Sequence, residues 1–149
     1  MTGRLEKFLG QHKRVGIATN SFIYLIEEHP KYFRSVEPFF EAVRTGRTQG
    51  VTATLSMMEI LVQPYRRGLA DLANEFYALL HTYPHLEWRP LTLEIADHAS
   101  QIRAKYNLKT PDAIHIATAL NARATGFISN DRHLKRVQEI EFLIIGELA

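Results

Sequence analysis

Arg14-Val15-Gly16-Ile17-Ala18-Thr19-Asn20-Ser21-Phe22-Ile23-Tyr24 carries the chain from one kind of element into another. Arg14 to Ala18 is a short apolar run with β-branched residues and reads as a strand. Phe22 to Glu27 follows as an apolar helical pattern. The same change recurs along the chain. Gly50 to Leu55, a weaker Leu86 to Leu91, Thr125 to Ser129 and Phe142 to Ile145 read as further strands. Tyr32 to Arg44, Met57 to Leu61, Leu69 to His81, Leu93 to Tyr106, Asp112 to Ala124 and Arg132 to Val137 read as helices between them. Strands alternating with helices predict an α/β sandwich of three layers, with a mainly parallel sheet of about five strands covered on both faces. No repeat or linker interrupts the 149 residues, so a single domain over 1–149 is expected.

Composition narrows the class of protein. Hydrophobic residues make up 46% of the chain, enough for a full core. Cysteine is absent, which excludes disulfides, thiolate zinc sites and cysteine nucleophiles, and agrees with a reducing cytoplasm. Met1 to Val15 lacks the apolar centre of a secretory signal. No run approaches the roughly 20 apolar residues of a membrane span, so a soluble cytoplasmic protein with no membrane partner is expected. Net charge is only +2 although the sequence pI is about 9.0. Basic residues group at Lys13-Arg14, Arg44 to Arg47, Arg66-Arg67 and Arg132 to Arg136. Solvated surface charge explains these groups more simply than a phosphate footprint does. Dinucleotide, P-loop and serine-hydrolase motifs are all missing.

In a parallel α/β sheet, ligands collect at the carboxyl ends of the strands, where helices begin. Thr19-Asn20 follows the first strand, Ser56 to Glu59 the second, and Asn130-Asp131 the fourth, while Thr110-Pro111-Asp112 opens a helix. Glu59, Asp112 and Asp131 are therefore expected at one edge. Converging carboxylates repel one another and are most readily tolerated with a hard cation between them. Each acid also has a structural explanation. Ser56 and Glu59 match a capping box. Asp112 complements a helix dipole behind a Thr110 N-cap and a Pro111 at the first position. Asp131 can be an N-cap itself. His115, one turn from Asp112, reads foremost as a packing histidine, with a ligand or proton-transfer role as the alternative.

These segments resemble the four motifs of PIN domains. Ile17-Ala18-Thr19-Asn20 with Ser21-Phe22-Ile23-Tyr24 is similar to an opening that normally reads apolar-Asp-Thr-Asn. Ser56-Met57-Met58-Glu59-Ile60-Leu61 resembles the second motif. Thr110-Pro111-Asp112-Ala113-Ile114-His115-Ile116-Ala117-Thr118-Ala119 is the most specific match, and Phe127-Ile128-Ser129-Asn130-Asp131 resembles the fourth. Length and pattern resemble VapC toxins of toxin–antitoxin pairs. The resemblance implies a Mg²⁺- or Mn²⁺-dependent endoribonuclease with an RNA substrate and a cognate antitoxin. It implies catalytic roles for Glu59, Asp112 and Asp131, with Asn20 and Ser129 as polar supports. Asp112, Asp131 and position 18 would be the metal ligands. Ala18 departs from the pattern, and its methyl group cannot ligate a cation. The intact surroundings favour a deliberate inactivating change over natural degeneration, and activity is expected to be lost or weakened. The alternative is a non-catalytic protein of this fold that binds RNA or a basic protein partner. A homodimer is expected from an apparent excess of apolar residues such as Phe39, Phe40, Phe76 and Tyr77.

Overall fold

The computed structural model describes residues 3–148. Five strands form one sheet: β1 (Arg14–Ile17), β2 (Gln49–Ala53), β3 (Leu86–Arg89), β4 (Gly126–Ser129) and β5 (Glu141–Ile144). Their spatial order is β3-β2-β1-β4-β5, and every neighbouring pair is parallel. The expected α/β architecture is thus present with a wholly parallel sheet. Strand order reverses direction between β1 and β4, the switch point at which open α/β sheets leave a crevice.

Seven α-helices are described: α1 (Gly3–Gln11), α2 (Thr19–Ile26), α3 (Phe33–Arg44), α4 (Thr54–Arg66), α5 (Ala70–His81), α6 (Leu93–Tyr106) and α7 (Thr110–Asn121). The first was not expected from sequence, yet its Leu5, Phe8 and Leu9 sit at helical spacing and are buried. The segment expected as a helix from Arg132 forms a 3-10 turn at Arg132–Arg136. The second strand ends at Ala53, and Thr54-Leu55 belong to α4. That helix also runs past Pro64, well beyond Leu61.

Two apolar clusters cover the two faces of the sheet. On one, Phe22 is fully buried, stacked on Trp88 with centroids 5.7 Å apart and tilted against Phe40 at 5.3 Å. Burying each such ring stabilises the fold by roughly 2–3 kcal/mol. On the other, α7 lies close over β1. A Cβ at Gly16 would come within 2.6 Å of both Ala119 and Phe127, so only glycine permits this approach. The close seat of α7 sets where its first turn, with Asp112, meets the sheet edge.

The aromatic residues offered as surplus need correction. Phe39 and Phe40 are 0% and 1% exposed and belong to the core, and Phe76 packs against it; Tyr77 alone of the four is well exposed. Large apolar side chains are exposed elsewhere, notably Met58, Leu91 and Leu93. Among the described residues no helix is long and apolar enough to cross a membrane.

Candidate active site

β1 ends at Ile17, β2 at Ala53 and β4 at Ser129, all at the carboxyl edge of the sheet. The residues that follow line one cleft of about 130 Å³. Its walls carry Ala18, Thr19, Asn20, Glu59, Asp112, His115, Ser129 and Asp131. Every site residue expected from sequence is therefore in one place. The parallel sheet favours this, because strand ends and the first turns of helices that run back antiparallel to the strands share one edge.

Glu59 is the most restrained of the acids. Thr19 Oγ1 donates to Glu59 Oε1 at 2.6 Å, and His115 Nε2 reaches the same oxygen at 2.7 Å. A carboxylate only accepts, so the His115 proton at this contact is on Nε2. Both donors fall on Oε1, which leaves Oε2 without a partner among the described residues. Behind Thr19 runs a hydroxyl chain: Ser56 Oγ lies 3.0 Å from Thr19 Oγ1, and Thr52 Oγ1 donates to Ser56 Oγ at 3.0 Å. Thr52 and Ser56 are buried, so these bonds are shielded from water. The His115 hydrogen bond holds Glu59 below the ordinary carboxylate range. Partial burial pushes the other way, and Thr19 adds to the lowering.

Ser56 is consequently not a capping residue. Ala53 occupies the N-cap of α4, and Ser56 lies inside the helix facing Thr19 and Thr52. His115 is buried at 8% exposure, as a packing residue would be, yet it spends its Nε2 on Glu59 while Nδ1 has no partner among the described residues. Sequence reasoning placed Thr19 at the edge without a role, read Ser56 as a cap, and ranked His115 as packing.

Asp112 has the opposite electrostatics. It sits in the first turn of α7, whose N-cap is Lys109, so Thr110 and Pro111 are already helical. Burial raises its pKa, and the charge of Asp131 raises it further; His115 and Lys109 offset part of this. Asp131 is both an N-cap and a cleft residue. Its Oδ1 accepts from His133 N at 2.9 Å, which starts the 3-10 turn, and its own N–H donates to Ser129 Oγ at 3.1 Å. Ser129 is 1% exposed, so this tether is rigid.

The PIN-domain profile matches residues 17–140. The chain belongs to the PIN-domain family. Its fold is similar to that of a toxin–antitoxin complex from Klebsiella pneumoniae, with a TM-score of 0.69, 20% identity, and coverage of 89% of this chain and 97% of that one. It is similar also to VapBC2 from Rickettsia felis bound to a promoter DNA fragment, with a TM-score of 0.72, 13% identity, and coverage of 88% and 98%. DNA-bound VapBC from Salmonella typhimurium gives 0.64, 19%, and 89% and 98%. No curated protein matches the chain by sequence.

PIN domains generally work with divalent ions, and the donors here fit such an ion only in part. Asp112 and Asp131 repel one another, which a cation would relieve. Ala18 presents a methyl group, and Glu59 Oε1 is taken by Thr19 and His115. Among the described residues no three His, Asp or Glu side chains converge closely enough to hold a metal. Two carboxylates suit a Mg²⁺ that keeps most of its water, held more weakly than by a full set.

Proposed function

We propose that this PIN domain is an endoribonuclease of the VapC toxin type, weakened at position 18, that cuts RNA with Mg²⁺ or Mn²⁺ and is held in check by a cognate antitoxin. The observation that carries the reading is the gathering of Glu59, Asp112, Asp131 and Ala18 around one cleft at the β1–β4 switch point. The antitoxin is supported by the similar solved structures, which are toxin–antitoxin complexes. Cytoplasmic location and a homodimer belong to the same reading.

Asp112 and Asp131 would hold the ion, which when bound offsets charge on the phosphate undergoing transfer. The rest falls to the chain itself. Thr19 and His115 fix Glu59 in rotation, and its free Oε2 can orient a water or take its proton. Its lowered pKa keeps it ionised, as a base must be. Ser129 holds the backbone of Asp131 so that its carboxylate keeps its place. Asn20, on the first turn of α2, adds a polar group on the cleft wall.

A second reading keeps the cleft and drops the chemistry. Ala18 favours it, because an arginine of a protein partner would pair with Asp112 and Asp131 without any metal. Cleavage of total RNA by the parent and by Ala18→Asp, with EDTA, Mg²⁺ or Mn²⁺, separates the two. Cleavage that appears with Ala18→Asp, dies with EDTA and fails again on Asp112→Asn supports the nuclease. No cleavage by either protein in any metal supports the binding module.

A further inference from the structure

β4 and β5 pair in register as far as Ser129 and Ile144. Beyond that pair the ladder stops. β4 leads through Asn130 to Asp131, and β5 leads into a second 3-10 turn at Ile145–Glu147. This turn is anchored: Ile145 and Leu148 are both buried, in the apolar cluster that holds Phe39. Gly146 N–H, past the end of the ladder, donates to Asn130 Oδ1 at 2.8 Å. A backbone N–H only donates, so this contact fixes the Asn130 amide and turns its Nδ2 toward the Tyr24 hydroxyl of α2, 3.1 Å away. The next residue of the turn, Glu147, accepts Arg132 Nε at 3.4 Å.

Asp131 is thereby bracketed. Its neighbours on both sides, Asn130 and Arg132, are held by consecutive residues of one anchored turn. The bonds of Asp131 itself run to Ser129 and His133, within the same short stretch, so they shape that stretch without fixing it to the rest of the fold. A restraint is needed there, because Asp112 and Asp131 repel one another across the cleft. The two arms of the bracket differ in strength. Asn130 is partly buried and bonds two separate elements. Arg132 is 68% exposed and shares Glu147 with Arg4 and Lys135, so water and salt screen its pairing. Asn130 is the main arm.

We infer that Asn130 is a positioning residue, supported by Glu147, through which the turn after β5 holds the Asp131 carboxylate in the cleft. Asn130 acts through the backbone of its neighbour, as the outer partners of a binding group do. The brace itself stands on geometry. Its use, presenting Asp131 to a cation, rests on the function proposed above.

The test begins on the parent chain without added metal. Backbone ¹⁵N relaxation reads the order of the Asp131 amide, with an order parameter of about 0.85 for a rigid amide and below roughly 0.6 for a mobile one. Asn130→Ala should move Asp131 and Arg132 from the first value toward the second, and leave Ala18 and Glu59, on other walls of the cleft, unchanged. Gly146→Ala places a Cβ 3.0 Å from Asn130 Oδ1 and presses on the same contact, so it should give an intermediate loss. Glu147→Gln should loosen Arg132 more than Asp131. The second readout is calorimetric titration with Mn²⁺ in the Ala18→Asp background. There Asn130→Ala should bind roughly tenfold more weakly, as the loss of an outer partner implies. Glu147→Gln should cost about threefold or less. Should Asn130→Ala prove unfolded by circular dichroism, Gly146→Ala and Glu147→Gln decide. A rigid Asp131 amide in every folded variant overturns the brace. Mobility spread equally over Ala18 and Glu59 overturns it too, as general loosening. Mn²⁺ affinity unchanged by Asn130→Ala, in a protein that binds the ion, overturns the positioning role. If Ala18→Asp binds no Mn²⁺ at all, the cation reading falls alone, and the order of the Asp131 amide still decides the brace.

Discussion

Ala18→Asp sets two effects of opposite sign against each other. Position 18 is 8% exposed and is the N-cap of α2, with φ −74° and ψ 152°. Alanine leaves that cap without a side-chain bond, and aspartate supplies one, worth about 0.5–2 kcal/mol, with roughly 0.3–1 kcal/mol more from the helix dipole. Against this, a fourth carboxylate enters the cleft that already holds Glu59, Asp112 and Asp131. An uncompensated charge taken out of water costs roughly 3–5 kcal/mol. The cost wins by about 1–3 kcal/mol, which for a chain of this length lowers Tm by roughly 3–10 °C in EDTA. A divalent ion should reverse the sign. An ion at a hundredfold excess over its Kd returns about 2.7 kcal/mol, so Mn²⁺ should raise the variant's Tm by about 5–10 °C and the parent's far less. Scanning calorimetry in EDTA and across a Mn²⁺ or Mg²⁺ series reads this directly. RNA cleavage should rise about a hundredfold or more over the parent. The same cation response from both proteins, with no gain in cleavage, refutes a ligand role for position 18.

Asp112→Asn should raise the parent's Tm by a few degrees at neutral pH, since burial and Asp131 disfavour the ionised form that the amide replaces; a drop in calorimetric Tm counts against that electrostatic picture. Glu59 behaves in the opposite sense. Its folded pKa is lowered, so its contribution is complete above the ordinary value of 4.5 and fades as pH falls through the folded value. Glu59→Gln should cost roughly 1–3 kcal/mol at pH 7 and flatten the fall of Tm as pH drops below the ordinary value of 4.5; an unchanged acid limb would show that Glu59 is not the titrating group. Light scattering at high micromolar concentration should give a dimer mass, and Leu93→Glu, at a side chain 90% exposed, should reduce it to the monomer if that face is used. A monomer in the parent ends the dimer reading.

The acids were legible because topology does the work that distance in sequence hides. Glu59 and Asp112 are 53 residues apart, yet each lies in the first half of a helix, and a parallel sheet brings the helix N-termini that follow its strands to one edge. What escaped was any contact that depends on orientation. Ser56 fits a capping pattern, but β2 runs straight into α4 and puts the cap at Ala53, which turns Ser56 inward. β-branched residues on both sides of that junction blur it. Phe39 and Phe40 looked like surplus because they are adjacent. In α3 they share the buried face with Val36 and Val43, a wide apolar stripe at helical spacing.

His115 shows why function and packing could not be separated from sequence. α7 buries Ala113, Ile116, Ala117 and Ala119 around it, so any residue at 115 is expected to be buried. The partner that gives it a second purpose is Glu59, on another helix 56 residues away. This pairing also lowers the electrostatic cost of gathering three acids in one cleft. His115 and Thr19 satisfy Glu59, the first turn of the 3-10 helix satisfies Asp131, and Ala18 adds no charge of its own. The strain that remains falls on Asp112, whose pKa is raised by burial and by Asp131 and whose carboxylate has no hydrogen bond among the described residues. On the proposed reading such a cleft trades affinity for a cation against stability without one, and Ala18→Asp should move both quantities together.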